Sequence, residues 1–324
     1  MPVTWVKNRE PKYFFAENYQ IAFCKAPKSG TTFIGLIVAA LKNAKTPDNI
    51  FHVNREDVHG KNEIMFSSMF KYHSDSMKTV LVTRNPYTRL FSAFVDKYYT
   101  LSSWGTTVAK RYRKRPYNTT RGYCGYNVTL QEMLDYVTSG TQIEEHTIPV
   151  SNLCKPCTVH YDLICKQETL NADMEHVLNV INTSTSVRQA IVNQIHGKGL
   201  EDTFYSWISS QLTYFSKFKQ FCSDHLFYVE TLWRALQFQG HIDSSFEFPA
   251  HEFKLKETLQ AQDLVTNIMR LIKPRQISKS QSSMQKKRIL AEAYGKIKPE
   301  TLARIQRVYA QDFHLFGYDT GVPV

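Results

Sequence analysis

Long apolar runs are missing from this 324-residue chain. No segment reaches the about 18 consecutive apolar residues of a membrane span. Met1 to Tyr19 carries charges throughout and has no apolar core, so the start as written is not a signal peptide. Either a membrane anchor lies outside this chain, as in a partial or processed protein, or none exists. Internal repeats and low-complexity linkers are also missing, and with 42% hydrophobic and 13% aromatic residues the chain reads as globular. Acidic residues are few beside basic ones, 29 Asp+Glu against 40 Lys+Arg, for a formal net charge of +11. That balance favours an anionic partner: a nucleotide, a polyanionic glycan, a nucleic acid or a membrane surface. No recognised nucleic-acid-binding motif surrounds the basic residues, so nucleic acid ranks last and is not expected as a partner. The Gly-x-x-x-x-Gly-Lys-Ser/Thr spacing of ATP- and GTP-hydrolysing loops is absent too, which weakens a kinase reading, and no metal site is expected.

The cysteines form an even set: Cys24, Cys124, Cys154, Cys157, Cys165 and Cys222. Asn-x-Ser/Thr sequences start at Asn118, Asn127 and Asn182. Together they lean towards a secretory compartment. Cys154-Lys-Pro-Cys157 allows three readings. A zinc site would need a second ligand pair at standard spacing, and a redox site would need the motif to open a helix directly after a strand. A structural disulfide framework is the reading preferred, with partners open.

Strand and helix signals alternate. Tyr19 to Cys24 is a short apolar run, followed by Ala26-Pro-Lys-Ser-Gly30 and a mostly apolar helical stretch from Thr31 to Leu41. Thr79 to Thr83 reads as a buried strand, ended by Arg84-Asn-Pro86 and followed by helical periodicity from Tyr87 to Tyr99. Thr129-x-x-Glu132 is a capping-box pattern opening a helix through Val137. Leu163 to Cys165 and Leu226 to Val229 are expected as further strands. Pro299 opens a last helix whose Leu302, Ile305, Val308, Tyr309 and Phe313 form a core stripe. The alternation predicts an α/β fold with a central parallel sheet and helices on both faces. Two basic stretches, Ser102 to Asn127 with Lys110, Arg111, Arg113, Lys114 and Arg115, and Lys273 to Arg288, read either as solvated surface or as lining for an acceptor groove.

The chemistry concentrates at two places. From Lys25 to Thr32 the chain leaves a strand, turns at a glycine and enters a helix whose first N–H groups and positive dipole end face the turn. Anionic oxygens belong there. Lys28 adds positive charge, and Ser29, Thr31 and Thr32 add hydroxyl donors, so this segment can surround a phosphosulfate group. Arg84 leaves the end of the second strand and Ser92 sits two turns into the following helix, a pattern that suits a second phosphate at the carboxyl edge of the sheet.

Cys24-Lys-Ala-Pro-Lys-Ser-Gly-Thr-Thr32 resembles the 5′-phosphosulfate loop of Golgi carbohydrate sulfotransferases, and the segment from Val82 through Arg84-Asn-Pro-Tyr-Thr-Arg-Leu-Phe-Ser92 to Lys97 resembles their 3′-phosphate segment. His146, Leu153-Cys-Lys-Pro-Cys157 and Tyr161-Asp-Leu-Ile-Cys-Lys-Gln-Glu-Thr-Leu170 are similar to the chondroitin/dermatan 4-O-sulfotransferase-like subgroup, as is the closing Asp312-Phe-His-Leu-Phe-Gly-Tyr-Asp319. The resemblance implies a three-layer, P-loop-like sulfotransferase fold, with a 3′-phosphoadenylyl sulfate (PAPS)-dependent domain over residues 19–319 between an extension, 1–18, and a tail, 320–324. It implies transfer of a sulfuryl group from PAPS to a hydroxyl of a glycosaminoglycan or glycoprotein glycan. Pro27, Lys28, Ser29, Gly30, Thr31 and Thr32 would hold the 5′-phosphosulfate, Arg84 and Ser92 the 3′-phosphate, and Lys28 would stabilise the leaving phosphate. It also implies a chondroitin/dermatan-like anionic acceptor, a Golgi-lumenal location, and membrane attachment only through an anchor that this chain does not display.

A general base must accept the sugar hydroxyl's proton. His146 is the candidate, with His73 and Glu168 as competitors. The sequence departs from the subgroup at Ser29-Gly30-Thr31, at Asn85 where an acidic residue is usual, at Thr147 where an aromatic is common, and at Cys165 where a glycine is usual. These departures bear on the acceptor side more than on donor binding. The alternatives are a sulfotransferase-like protein that binds glycans without catalysis and, ranked lower, a nucleotide-dependent kinase.

Overall fold

The computed structural model describes residues 10–42, 58, 63–69, 77–112, 128–140, 144–197, 199–218, 224–253 and 259–323. Cys124, Cys222, Asn118, Asn127, His73 and the basic residues Arg113, Lys114 and Arg115 lie outside them. In chain order the elements are β1 (Lys12–Ala16), β2 (Ile21–Cys24), α1 (Thr31–Lys42), β3 (Glu63–Met65), α2 (Phe66–Met69), β4 (Lys78–Thr83) and α3 (Pro86–Ala93). A π-helical turn, Phe94–Tyr99, precedes α4 (Ser103–Tyr112), α5 (Leu130–Thr138), α6 (Val150–Cys154), β5 (Leu163–Lys166), α7 (Leu170–Val180), α8 (Thr185–Gly197) and α9 (Leu200–Phe218). The chain closes with α10 (His225–Phe238), α11 (Ala261–Ile272), α12 (Lys279–Tyr294), α13 (Pro299–Val308) and α14 (Ala310–Leu315).

The first of two units comprises residues 1–89, 143–206 and 308–318. It holds a five-stranded sheet of order β3-β1-β2-β4-β5. β2, β4 and β5 run parallel, in register Cys24 to Leu81 and Thr83 to Lys166. These three strands are the parallel part of the sheet that the alternation of strands and helices predicts. β1 pairs antiparallel with both β2 and β3, so the sheet is mixed. The reason is local: β1 reaches β2 through one short 3-10 turn, Glu17–Tyr19, closed by left-handed Gln20, and so tight a connection permits only antiparallel pairing. β1 itself falls in the charged stretch read as an extension, where Tyr13-Phe-Phe-Ala16 was too short a run to stand out.

Alternate residues of these strands enter two cores, as the period of two requires. Phe14, Phe23, Val80 and Val82 pack with Ile34, Ile37 and Leu41 of α1 and with Met174, Val177 and Leu178 of α7. On the opposite face Tyr13, Phe15, Ala22 and Leu81 pack with Val150 and Cys154 of α6 and with Phe316. Helices thus cover both faces, and strands buried on both sides read as continuous apolar runs.

The second unit comprises residues 90–142, 207–307 and 319–324. Thr129 caps α5 in a reciprocal box with Glu132, as its sequence predicted. Pro299 opens α13, whose Ile305 is buried, but the helix breaks at Tyr309, so Phe313 belongs to α14. Leu226 to Val229 is helical, not a strand. Asp224 accepts from the Phe227 N–H at the start of α10, and Val229, Leu232, Trp233 and Leu236 recur at helical spacing around a fully buried Trp233. The π-turn carries buried Asp96, which accepts from Trp207 Nε1 at 3.0 Å and Gln211 Nε2 at 3.2 Å, with Lys97 Nζ 3.4 Å from its carboxylate and over the Trp104 and Tyr214 rings.

Candidate active site

The loop from Lys25 to Gly30 leaves β2 at the carboxyl edge of the first unit's sheet and enters α1. Lys28 has φ 70° and Gly30 φ 88°, while Ser29 between them does not share the left-handed region. Backbone of alternating hand turns successive N–H groups to one side and forms an anion-binding concavity. Glycine is required at 30 for a second reason, since a Cβ there would come within 2.6 Å of Leu170 Cδ2. Lys28 occupies its conformation at a cost of about 1–2 kcal/mol. The ladder of α1 begins only with Ile34 N–H donating to Gly30 C=O at 3.0 Å, so the N–H groups before it, through Phe33, precede any carbonyl of the helix that could accept them.

Ser29 carries the most direct sign of a ligand. Its side chain has no solvent exposure, and its Oγ has no hydrogen-bond partner. A buried hydroxyl in that state costs about 1–3 kcal/mol, so native structures rarely leave one without a use. It sits where an anionic oxygen would be met by the first turn of α1.

Two arginines from the β4–α3 junction hold the loop from behind by its carbonyls. Arg84 Nη1 donates to Lys28 C=O at 2.9 Å while its Nε donates to Thr88 Oγ1 at 3.0 Å. Arg89, 1% exposed, donates from Nε to Pro27 C=O at 2.8 Å. The Asn85 departure preserves capping: Asn85 Oδ1 accepts from the N–H groups of Tyr87, at 3.0 Å, and Thr88, at 3.4 Å, the task an aspartate would perform at the start of α3. Ser92 stands one turn past Arg89 on α3, half-buried, and belongs to the second unit. The first unit therefore brings together residues 27–32, Arg84 and the turn at His146.

Arg89 reaches further. Its Nη1 donates to Ile148 C=O at 2.6 Å and its Nη2 to Glu145 C=O at 3.4 Å, so one buried guanidinium spans the loop and the His146 turn. Within that turn Glu144 accepts from the His146 N–H at 3.1 Å and contacts its Nδ1. When Nδ1 donates to the carboxylate, Nε2 becomes the basic nitrogen, the arrangement of an oriented general base. Tyr309 and the closing motif fix the same turn: Tyr309 OH donates to Thr147 C=O, and Asp312 accepts from Val150 N–H at 2.7 Å and Ser151 N–H at 2.8 Å at the start of α6.

Glu168, a competitor for the base, is engaged structurally. It accepts from Asn85 N–H at 3.0 Å and from Tyr318 OH at 3.1 Å, and Tyr318 OH in turn lies 3.0 Å from Thr83 Oγ1. Cys24 bonds Cys154, with Cα atoms 6.0 Å apart, so the last residue of β2 is tied to the end of α6. Cys157 is a free, exposed thiol and Cys165 a free, buried one. Burial pushes the Cys165 thiol up to about 12, the behaviour of an inert core residue. Among the described residues no group of three or more His, Cys, Asp or Glu side chains is arranged to hold a metal ion.

Arg89 and Glu144 are what sequence reasoning missed. Arg89 stood in the quoted motif, but nothing in the pattern told a buried arginine from a solvated one. Glu144 stood two residues before His146 in an acidic pair.

One α/β unit thus holds a glycine turn at a helix start, an arginine at a strand end and a histidine in contact with a carboxylate, and residues 11–217 match the sulfotransferase family; the chain belongs to that family. Its curated relatives include a zebrafish (Danio rerio) carbohydrate sulfotransferase 11, 29% identical over 188 residues covering 53% of each chain. A human (Homo sapiens) carbohydrate sulfotransferase 14 is 33% identical over 114 residues, 33% of this chain and 30% of the relative. A human carbohydrate sulfotransferase 9 is 26% identical over 191 residues, 55% of this chain and 42% of the relative. The chain spans about half, or less, of the length of the curated relatives it matches. No solved structure matches it.

Proposed function

We propose that this protein is a carbohydrate O-sulfotransferase that transfers a sulfuryl group from PAPS to a hydroxyl of an anionic, chondroitin/dermatan-like glycan in the Golgi lumen. The observation that carries the reading is the buried, unpartnered Ser29 hydroxyl at the start of α1, between left-handed Lys28 and Gly30. The names of the relatives and the Cys24–Cys154 disulfide support the glycan acceptor and the lumenal setting. The same reading makes residues 19–319 a sulfotransferase domain of P-loop-like type, with β1 added to its sheet.

Pro27 to Thr32 would hold the 5′-phosphosulfate of the donor, and Arg84 and Ser92 its 3′-phosphate. The acceptor oxygen attacks sulfur in line, the bond from sulfur to the bridging oxygen breaks, and negative charge grows on the departing phosphate. Lys28 and the first turn of α1 lie where that charge develops. His146 takes the proton of the sugar hydroxyl, oriented by Glu144.

Binding of adenosine 3′,5′-bisphosphate, followed by transfer of labelled sulfate across a panel of chondroitin, dermatan, heparan and desialylated N-glycans, tests the reading. We expect bisphosphate binding, transfer to at least one acceptor, and loss of transfer in Lys28→Ala. Binding of ATP with magnesium but not of the bisphosphate would overturn it. Bisphosphate binding without transfer to any acceptor would favour a glycan-binding protein without catalysis.

A further inference from the structure

The turn between α7 and α8 carries the sequence Asn182-Thr183-Ser184. Asn182 is exposed and left-handed, with φ 50°, and its N–H donates to Asn179 C=O at 3.2 Å. Its carboxamide makes no hydrogen bond to any described residue, although nearby polar side chains do. Thr183 is buried, its Oγ1 donating to Leu178 C=O at 2.8 Å, and exposed Ser184 accepts the Val187 N–H at 3.4 Å as the first turn of α8 begins. The middle residue is thus anchored inside while the two residues that a glycosylating enzyme must read point outward.

Two further observations bear on whether the sequence is used. The Cys24–Cys154 disulfide belongs to an oxidising compartment, the same one in which asparagine is glycosylated. Leu170, the first residue of α7, lies against the donor loop at Gly30. The eleven residues of α7 carry the chain about 16 Å from that point before Asn182 is reached. An oligosaccharide at Asn182 would therefore stand clear of the loop.

We propose that Asn182 is a site of N-glycosylation. The co-reactant is a lipid-pyrophosphate-linked oligosaccharide: the amide nitrogen of Asn182 forms a bond to C1 of the first sugar, the C1–oxygen bond to the pyrophosphate breaks, the lipid pyrophosphate leaves, and one amide proton is released to a base. This inference does not depend on the proposed sulfotransferase reaction.

The competing explanation is conformational. Asparagine tolerates the left-handed region, and serine is a good helix cap, so the same residues could serve the turn alone. The variants are chosen to separate these. Ser184→Asp keeps a capping acceptor and removes the sequon. Ser184→Thr keeps both. Asn182→Gly keeps the left-handed turn and removes the acceptor nitrogen. The full chain is secreted from a eukaryotic host behind a cleavable leader, formation of the Cys24–Cys154 disulfide is verified, and peptide-N-glycosidase F in ¹⁸O water converts each glycosylated asparagine to labelled aspartate for mass spectrometry. The expected result is label at position 182 in the parent and in Ser184→Thr, none in Ser184→Asp or Asn182→Gly, and unchanged thermal unfolding of the deglycosylated proteins. An unlabelled Asn182 peptide in the secreted, disulfide-bonded parent overturns the proposal, as does label that persists in Ser184→Asp.

Discussion

Replacing Ser29 with alanine should move stability and ligand affinity in opposite directions. In the ligand-free protein the buried Oγ has no partner, and its desolvation costs about 1–3 kcal/mol. Alanine removes that cost and leaves a gap no larger than one oxygen atom, so the net gain is about 1 kcal/mol, or about 2–4 °C in Tm for a unit of about 150–250 residues. With adenosine 3′,5′-bisphosphate present, the variant lacks one hydrogen bond to a charged oxygen, worth about 1.5–3 kcal/mol. Its Kd should rise about 10- to 150-fold. Ligand at 1,000 times the parent's Kd stabilises the parent by about 4.1 kcal/mol, whereas a variant that binds a hundredfold more weakly gains only about 1.4 kcal/mol. Thermal unfolding with and without the bisphosphate, together with titration calorimetry, measures both effects. A ligand-free Ser29→Ala that melts below the parent, with unchanged Kd, would refute the assignment of this hydroxyl to the donor.

Arg89→Met should lower stability by about 3–5 kcal/mol, since it strands the carbonyls of Pro27 and Ile148 in the interior; Arg89→Lys, which reaches fewer of them, should fold better yet still lose kcat more than donor affinity, and a parent-like kcat would argue against a positioning role. His146→Ala should lower kcat by about 10²–10⁴ with donor binding intact, and Glu144→Gln should fall between it and the parent, as steady-state rates at saturating donor will read. Asp162 supplies a pH prediction: burial pushes its carboxyl up, but the Thr79 N–H, Lys78 and the Thr79 hydroxyl outweigh it and hold it below the ordinary value of 3.8. A depressed native value adds stability above the unfolded-state value that is lost as pH falls through the folded one, so Asp162→Asn should destabilise at pH 7 and converge with the parent only as pH falls below 3.8 through the folded value, as urea unfolding at pH 7 and across that acid range will test.

Local chemistry made part of this protein readable from its sequence. Strand, glycine turn and helix follow one another directly, so the turn from Pro27 to Thr32 could be located between β2 and α1 before any fold was known, and a β-branched run placed Arg84 at the end of β4. The Thr129 and Glu132 box was equally legible, because its bonds span only three residues. β1 escaped because a five-residue strand in a charged stretch has too short a period to register, and Leu226 to Val229 misled because four apolar residues suit either a strand or a buried helix.

What only the tertiary structure decided are pairings between residues distant in sequence. Cys24 with Cys154 joins positions 130 residues apart, a choice that spacing among six cysteines leaves open. Arg89 meets Pro27, 62 residues away, and Ile148, 59 residues away, on one buried guanidinium. Glu168 meets Asn85, 83 residues away, and Tyr318, 150 residues away, through its two carboxylate oxygens. A sequence fixes which groups can bond over one helical turn or one loop. Which carbonyl a buried arginine satisfies depends on how strands and helices pack, so the glycine turn between β2 and α1 was legible in the sequence and the guanidinium that ties it to Ile148 was not.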